Sequence, residues 1–466
     1  MLSVFATASS LGGEKPVKLH AVQPKDLERF LAARPEQEAR WLGSTGFAAK
    51  EGELQLVPGD DGRLAAAVLG LGAGRDPHAL AAFSERLPPG IYALDDVPAP
   101  FAGPRAAYAW AIGTYTFDRY RKRAARKEKP RLVLPEGVDG ALISRLAQGV
   151  FLARDLINTP ANDMGPSELE QAARRVADTF DASITVITGE LLIKANYPMI
   201  HAVGRASANE PRLIDFTWGA DRDPKVTIVG KGVCFDTGGL DLKNSPGMLT
   251  MKKDMGGAAC ALGLAQMIME AKLPVRLRVM IPAVENSVSG AAYRPGDVLI
   301  SRKGLSVEIG NTDAEGRVIL ADALAEADGE TPDLLLCLAT LTGAARAATG
   351  MELPPFFTDD EFLAADLMRH GTQHHDPLWR LPLWRSYEPT VDSPIADVNN
   401  APDYNLAGAI TAALFLNRFI TKTERWAHFD IPAWTDRPKP GRRKGGEANG
   451  IRALYAVIAE RYGKSL

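Results

Sequence analysis

Cysteine is scarce in this chain: Cys234, Cys260 and Cys337 stand far apart, with no CxxC pair. That excludes a disulfide framework and a thiolate metal site, and it fits a reducing compartment. Histidine is scarce as well, seven in all with no HExxH, so the usual helical pair of zinc ligands is missing. There is no run of 18 apolar residues, and the opening MLSVFATASSLGGEKP lacks a basic leader. The expectation is a soluble cytoplasmic protein with no membrane partner. Neither sign of charge dominates, since a formal net charge of -3 gives no general affinity for nucleic acid or anionic lipid. Internal repeats and low-complexity tracts are missing too.

What is present describes a large α/β protein. At 466 residues the chain exceeds what one hydrophobic core normally serves, so two domains are expected. Its 46% hydrophobic and 24% charged fractions are ordinary for a soluble globular protein. Short apolar runs alternate with helical stretches in both halves, which implies in each domain a central mixed sheet flanked by helices. The boundaries read as a first α/β domain over residues 1–135, a connecting helix over 136–160 and a second domain over 161–466. The basic run from Arg119 to Lys129 reads as a solvated helix end and linker. In the second domain KVTIVGKGVCF reads as one strand, GGAACALGLAQMIMEAKL as a helix, and DVLISRKGLSVEIG as a hairpin around Arg302, Lys303 and Gly304. Ligands in such sheets gather at the carboxyl ends of strands.

The stretch Val229 to Ala259 starts as a buried strand and becomes a loop crowded with Lys231, Asp236, Lys243 and Asp254. Gly-Gly pairs at 238/239 and 256/257 mark sharp bends or close approaches. Asp254 has two readings, an N-cap of the helix that follows or a site residue. Lys231 in VGKG lacks the rest of a phosphate loop, and GLGAGRD has Arg75 where a dinucleotide fingerprint needs glycine. Further on, NTDAEGR sets Asp313, Glu315 and Arg317 on alternate positions. If that backbone is extended, all three share one face. Four carboxylates at strand ends of one domain, Asp236, Asp254, Asp313 and Glu315, would raise one another's pKa and repel without cations between them. Oxygen-rich ligation of this kind suits a pair of divalent ions. His428, in WAHFDI, reads as a structural core residue.

These residues carry a resemblance. NTDAEGR from Asn311, VGKGVCFDTGG from Val229, MKKDMGGAA from Met251 and ATLTGA from Ala339 make the chain similar to the leucyl aminopeptidase (cytosol aminopeptidase) family of dinuclear metallopeptidases. AVGRASANEPRL, LINTPANDM, GAITAALFL and WAHFDI support it, so the likeness runs from Leu156 to the C-terminus, while the first third matches only in size and α/β character. The resemblance implies a C-terminal catalytic domain in which Lys231, Asp236, Asp254 and Glu315 hold one metal ion. Asp236, Glu315 and Asp313 would hold the other, the last also through its carbonyl. It implies two divalent ions per chain, Zn or Mn. Lys243 is implied as the group that polarises the scissile carbonyl, and Arg317 as the holder of a bicarbonate that carries the proton. Met251, Thr340 and Gly343 are implied to line the pocket for a leucine-like side chain, although each also has a packing reading. Peptides with a free N-terminus are the implied substrates, and a homohexamer the implied assembly.

Departures are few: DTGGLDLKNSP varies the family text, and MKKDM carries Lys253 where glycine is common, adding positive charge near the cleft. An alternative role in binding DNA, or in regulation on the same scaffold, would use the basic run above together with RPKPGRRKGGE. An inactive metal-binding relative is the third reading, and the presence of Lys243 and Arg317 counts against it.

Overall fold

A computed structural model of the chain describes residues 2–7, 11, 13, 15–122 and 128–463. Residues 123–127 of the basic run, and residues 1, 8–10, 12 and 14 of the N-terminal stretch, lie outside the described residues. Contacts within the chain divide it into two compact units, Met1–Phe151 with Arg437–Arg443, and Leu152–Asp436 with Lys444–Leu466. The division falls inside the helix Gly140–Asn158, the segment read from sequence as a connector.

The first unit is built on a six-stranded sheet in the order Phe5–Ala6, Arg131–Val133, Ile91–Asp96, Val17–Val22, Leu64–Gly70, Leu54–Pro58. All pairings are parallel except the last. The run LAAAVLG is buried from its third residue onward, as an inner strand covered on both faces must be. The returning segment Arg437–Arg443 belongs to this unit, where Arg442 lies 2.7 Å from the Asp76 carboxylate and the Gly441 amide donates to Glu85. Its arginine is therefore committed to an internal ion pair.

The second unit is built on a nine-stranded sheet. Its middle holds Trp426–Asp430, Leu334–Ala339, Lys225–Gly230 and Arg276–Asn286 in that order, all parallel. Every residue of LLLCLA is buried, and the helices Gly256–Glu270, Glu315–Gly329 and Ile451–Tyr462 bury long apolar faces. The hairpin around Arg302–Gly304 forms from Val298–Ile300 and Ser306–Glu308. His428 is fully buried and stacks on Phe357 at 5.8 Å between ring centroids.

Candidate active site

Three parallel strands of the second unit end at one rim, and the residues that leave them are the polar ones. KVTIVGKGVCF, expected as a single strand, is two: Lys225–Gly230 and Gly232–Asp236, broken at Lys231. The reason is the backbone of Lys231. Its N–H donates to Leu338 O at 2.9 Å and its carbonyl accepts from Ala258 N at 2.9 Å, so it bonds to a neighbouring strand end and to a helix start. The second piece then pairs with the far half of Arg276–Asn286 and delivers Asp236 at its end.

Two glycines turn the loop that follows. Gly238 and Gly239 have φ of +88° and +66°, and a Cβ on Gly238 would stand 2.4 Å from Asp241 O. The loop returns tightly enough for Lys243 N to donate to Thr237 O at 2.9 Å. Its ammonium lies 2.8 Å from Asp236 Oδ2 and also pairs with Asp313.

NTDAEGR does not form the extended, alternating backbone expected of it. Thr312–Ala314 is a 3-10 turn and Glu315 opens the helix Glu315–Gly329. Asn311 dictates this, because its side-chain oxygen accepts from the Asp313 amide at 2.7 Å and starts the turn locally. Gly316 therefore has a different task from turning the chain. A Cβ there would lie 2.4 Å from Lys231 Cε and 2.6 Å from its Nζ, so the missing side chain is the space Lys231 fills.

Asp254 does not cap the helix Gly256–Glu270, whose N-cap position is Met255 with no side-chain cap. It sits in the 3-10 turn Met251–Met255 and accepts from Thr340 Oγ1 at 2.8 Å. Lys231 Nζ is 2.7 Å from Asp254 Oδ2, 2.9 Å from Glu315 Oε1 and 3.0 Å from the Thr340 carbonyl. Arg317 donates to Asn400 O at 2.7 Å, while its buried Nε has no partner among the described residues. Met251 and Thr340 are buried, and Gly343 opens the short helix Gly343–Thr349, which is capped by Thr342. Thr340 thus touches the charged cluster directly, and Met251 and Gly343 flank it along the chain.

Ligand atoms of Asp236, Asp313 and Glu315 all lie within 4.8 Å of one another. Burial, then the Asp236 charge, raises Glu315 well above the usual carboxylate range and brings Asp313 to about 6. Burial pulls Lys231 the other way, but Asp254, Glu315 and Asp236 outweigh it and hold the ammonium charged. Four carboxylates thus face two ammonium groups, and buried Glu315 Oε2 has no hydrogen-bond donor among the described residues. The cluster is short of positive charge and has an unused oxygen aimed inward. Divalent ions fit that donor set.

Two residues escaped the reading of the sequence. Asn286 ends the long strand and donates to Asp236 Oδ1 at 2.9 Å and to Thr312 O at 3.1 Å, tying two of the acidic segments together. Asn400 accepts from the amides of Gly310 and Asn311 and receives Arg317 on its carbonyl. Asn286 carried a signal, a polar residue at the carboxyl end of a buried strand. Asn400 carried none.

Residues 151–455 match the family model described as cytosol aminopeptidase family, catalytic domain, and residues 17–135 match M17 aminopeptidase, N-terminal domain. The chain belongs to the cytosol aminopeptidase family. It is an aminopeptidase, a hydrolase of a metal-dependent family. A probable cytosol aminopeptidase of Syntrophotalea carbinolica is 38% identical over 453 residues, 90% of either chain. One of Roseiflexus castenholzii is 42% identical over 365 residues, 75% of this chain and 74% of its own length. The crystal structure of cytosol aminopeptidase from Coxiella burnetii superposes with a TM-score of 0.92 at 44% identity, covering 99% of this chain and all 100% of that one. The bottromycin maturation enzyme BotP in complex with Mn gives 0.86 at 33%, covering 96% and 99%.

Proposed function

We propose that this aminopeptidase releases one residue at a time from peptides with a free α-amine, using two divalent ions. The observation that carries this reading is the convergence of Asp236, Asp313 and Glu315 ligand atoms within 4.8 Å, with Lys243 paired to Asp236 and Asp313 and Arg317 two residues beyond Glu315 on the same helix. Lys231 and Asp254 would serve one ion, Asp313 the other, and Asp236 and Glu315 both. Bound there, Zn or Mn would lower the pKa of a water and stabilise the oxyanion of the tetrahedral transition state.

The chain's own groups supply the rest. Lys243, which pairs with Asp236 and Asp313 here, would donate to the scissile carbonyl oxygen as negative charge develops on it. Arg317, with its unpartnered Nε, holds a small anion such as bicarbonate at the place where a proton must pass from water to the leaving amine. Lys231 would have to lose its proton to act as a ligand, and dications held beside it would supply the opposing field. Met251, Thr340 and Gly343 receive the side chain of the first residue, with room for leucine. A cytoplasmic homohexamer is the assembly this reading carries with it, and light scattering of the purified protein tests it.

The decisive experiment compares leucine p-nitroanilide with its N-acetylated form after incubation with Mn or Zn. Cleavage of the free amine alone is the expected result. Cleavage of both, or of neither by folded metal-treated protein, would overturn the exopeptidase reading.

A further inference from the structure

Two cations beside the residues assigned to the substrate's first side chain have no ion-pair partner among the described residues. Lys253 is 4% exposed, yet its ammonium makes no hydrogen bond or ion pair with any described residue. Its stem is covered, so the ammonium is the part of the side chain left to meet a ligand. The charges acting on it are those of Asp254, Arg346, Lys231 and Asp430, in that order. Neither carboxylate is available. Asp254 is held by Lys231 at 2.7 Å and by Thr340 Oγ1. Asp430 accepts from the amides of Leu341 and Thr342 and from Thr342 Oγ1 at 2.6 Å.

Arg346 completes the pattern. It stands one turn into the helix Gly343–Thr349, with its Nη2 3.6 Å from where a Gly343 Cβ would be. Its guanidinium has no ion-pair partner among the described residues. Lys253 lies between Met251 and the Thr340-bound Asp254, and Arg346 lies over Gly343. These are the same three residues assigned to the first side chain of the substrate.

We propose that Lys253 and Arg346 make this pocket a receptor for a carboxylate, so that an N-terminal glutamate is released as readily as leucine. Glutamate shares leucine's aliphatic stem, which Met251 can cover, and ends in two acceptor oxygens that match an ammonium and a guanidinium. The proposal rests on the aminopeptidase reading above and names its substrate class.

The test measures kcat/KM for the p-nitroanilides of glutamate, leucine and lysine with the Mn-loaded protein and its Lys253→Met, Lys253→Arg and Arg346→Met variants. These substrates have no terminal carboxylate, so only the first side chain can supply the anion. The glutamate-to-leucine ratio should fall at least tenfold in Lys253→Met and in Arg346→Met, and stay within about threefold of the parent in Lys253→Arg. Calorimetric binding of free glutamate should weaken in step. An unchanged ratio with leucine still cleaved would overturn the proposal and leave the aminopeptidase reading standing. A change seen only between dipeptides and their C-terminal amides would assign the cations to the α-carboxylate instead, and would equally overturn it. No cleavage of any of the three by the parent would remove both readings together.

Discussion

Lys231 passes so close over Gly316 that a single added methyl would stand 2.4 Å from its Cε. The lysine cannot swing aside cheaply, because Asp254, Glu315 and the Thr340 carbonyl hold its Nζ within 3.0 Å. Gly316→Ala should therefore damage function more than stability. Alanine gains roughly 1 kcal/mol of helix propensity, and overpacking costs about 1–3 kcal/mol. The expected outcome is a small drop in Tm with at least a tenfold loss of kcat/KM and reduced metal content. A fully active variant would show that Lys231 does not need its place.

The charge shortfall of the cluster sets a second expectation. Active protein should contain two divalent ions per chain by elemental analysis, and Glu315→Gln should lose affinity for both, since Glu315, like Asp236, is assigned to each. Chelation should abolish activity while added Mn or Zn restores it and raises Tm, as any ligand of the folded state alone must. Full activity with fewer than two ions per chain would contradict the assignment.

Arg317 and Lys243 separate catalysis from metal binding. Arg317→Ala should lower kcat by roughly 10²–10⁴, the range for a positioned proton-transfer group, with metal content unchanged. Lys243→Ala should cost roughly 10²–10³, as for one oxyanion donor. If either variant loses its metal instead, that residue supports the ligands and does not act on the substrate.

How these side chains meet was only half visible from the amino-acid order. Asp236, Asp254, Asp313 and Glu315 could be read as a group because all fall at strand-end or loop positions of one domain, and strand ends of an α/β sheet share a rim. The local geometry could not. Lys231 looked like the middle of a strand, because nothing in VGKGV announces that its amide will bond to Leu338 and its carbonyl to Ala258. NTDAEGR suggested alternation, whereas Asn311 turns the chain into a 3-10 start and puts Asp313 and Arg317 four residues apart at the mouth of a helix, the spacing at which helical neighbours face one another. Asn286 and Asn400 hold the acidic loops through contacts that span the chain. Such contacts leave no trace in a local pattern.

The first unit offers a prediction independent of catalysis. His20 sits on the strand Val17–Val22 with 1% of its surface exposed. Arg34 donates to its ring at 3.2 Å, and Asp95, Asp96 and Lys18 are the other charges around it. Burial, then Arg34, lowers its pKa from 6.5 to about 4, and the two aspartates only partly oppose this. The folded state thus keeps His20 neutral where the unfolded chain would protonate it. Its contribution to stability is complete above about pH 6.5 and disappears as pH falls through 6.5 towards 4. With about 1.4 kcal/mol per pKa unit, the effect is on the order of 3 kcal/mol across that window. Calorimetric scans of the parent and His20→Gln between pH 7.5 and pH 4 should show the parent losing stability more steeply, because the glutamine has no proton to take up on unfolding. Parallel curves across the window would mean that His20 titrates alike in both states, and that the Arg34 contact does not hold the ring neutral.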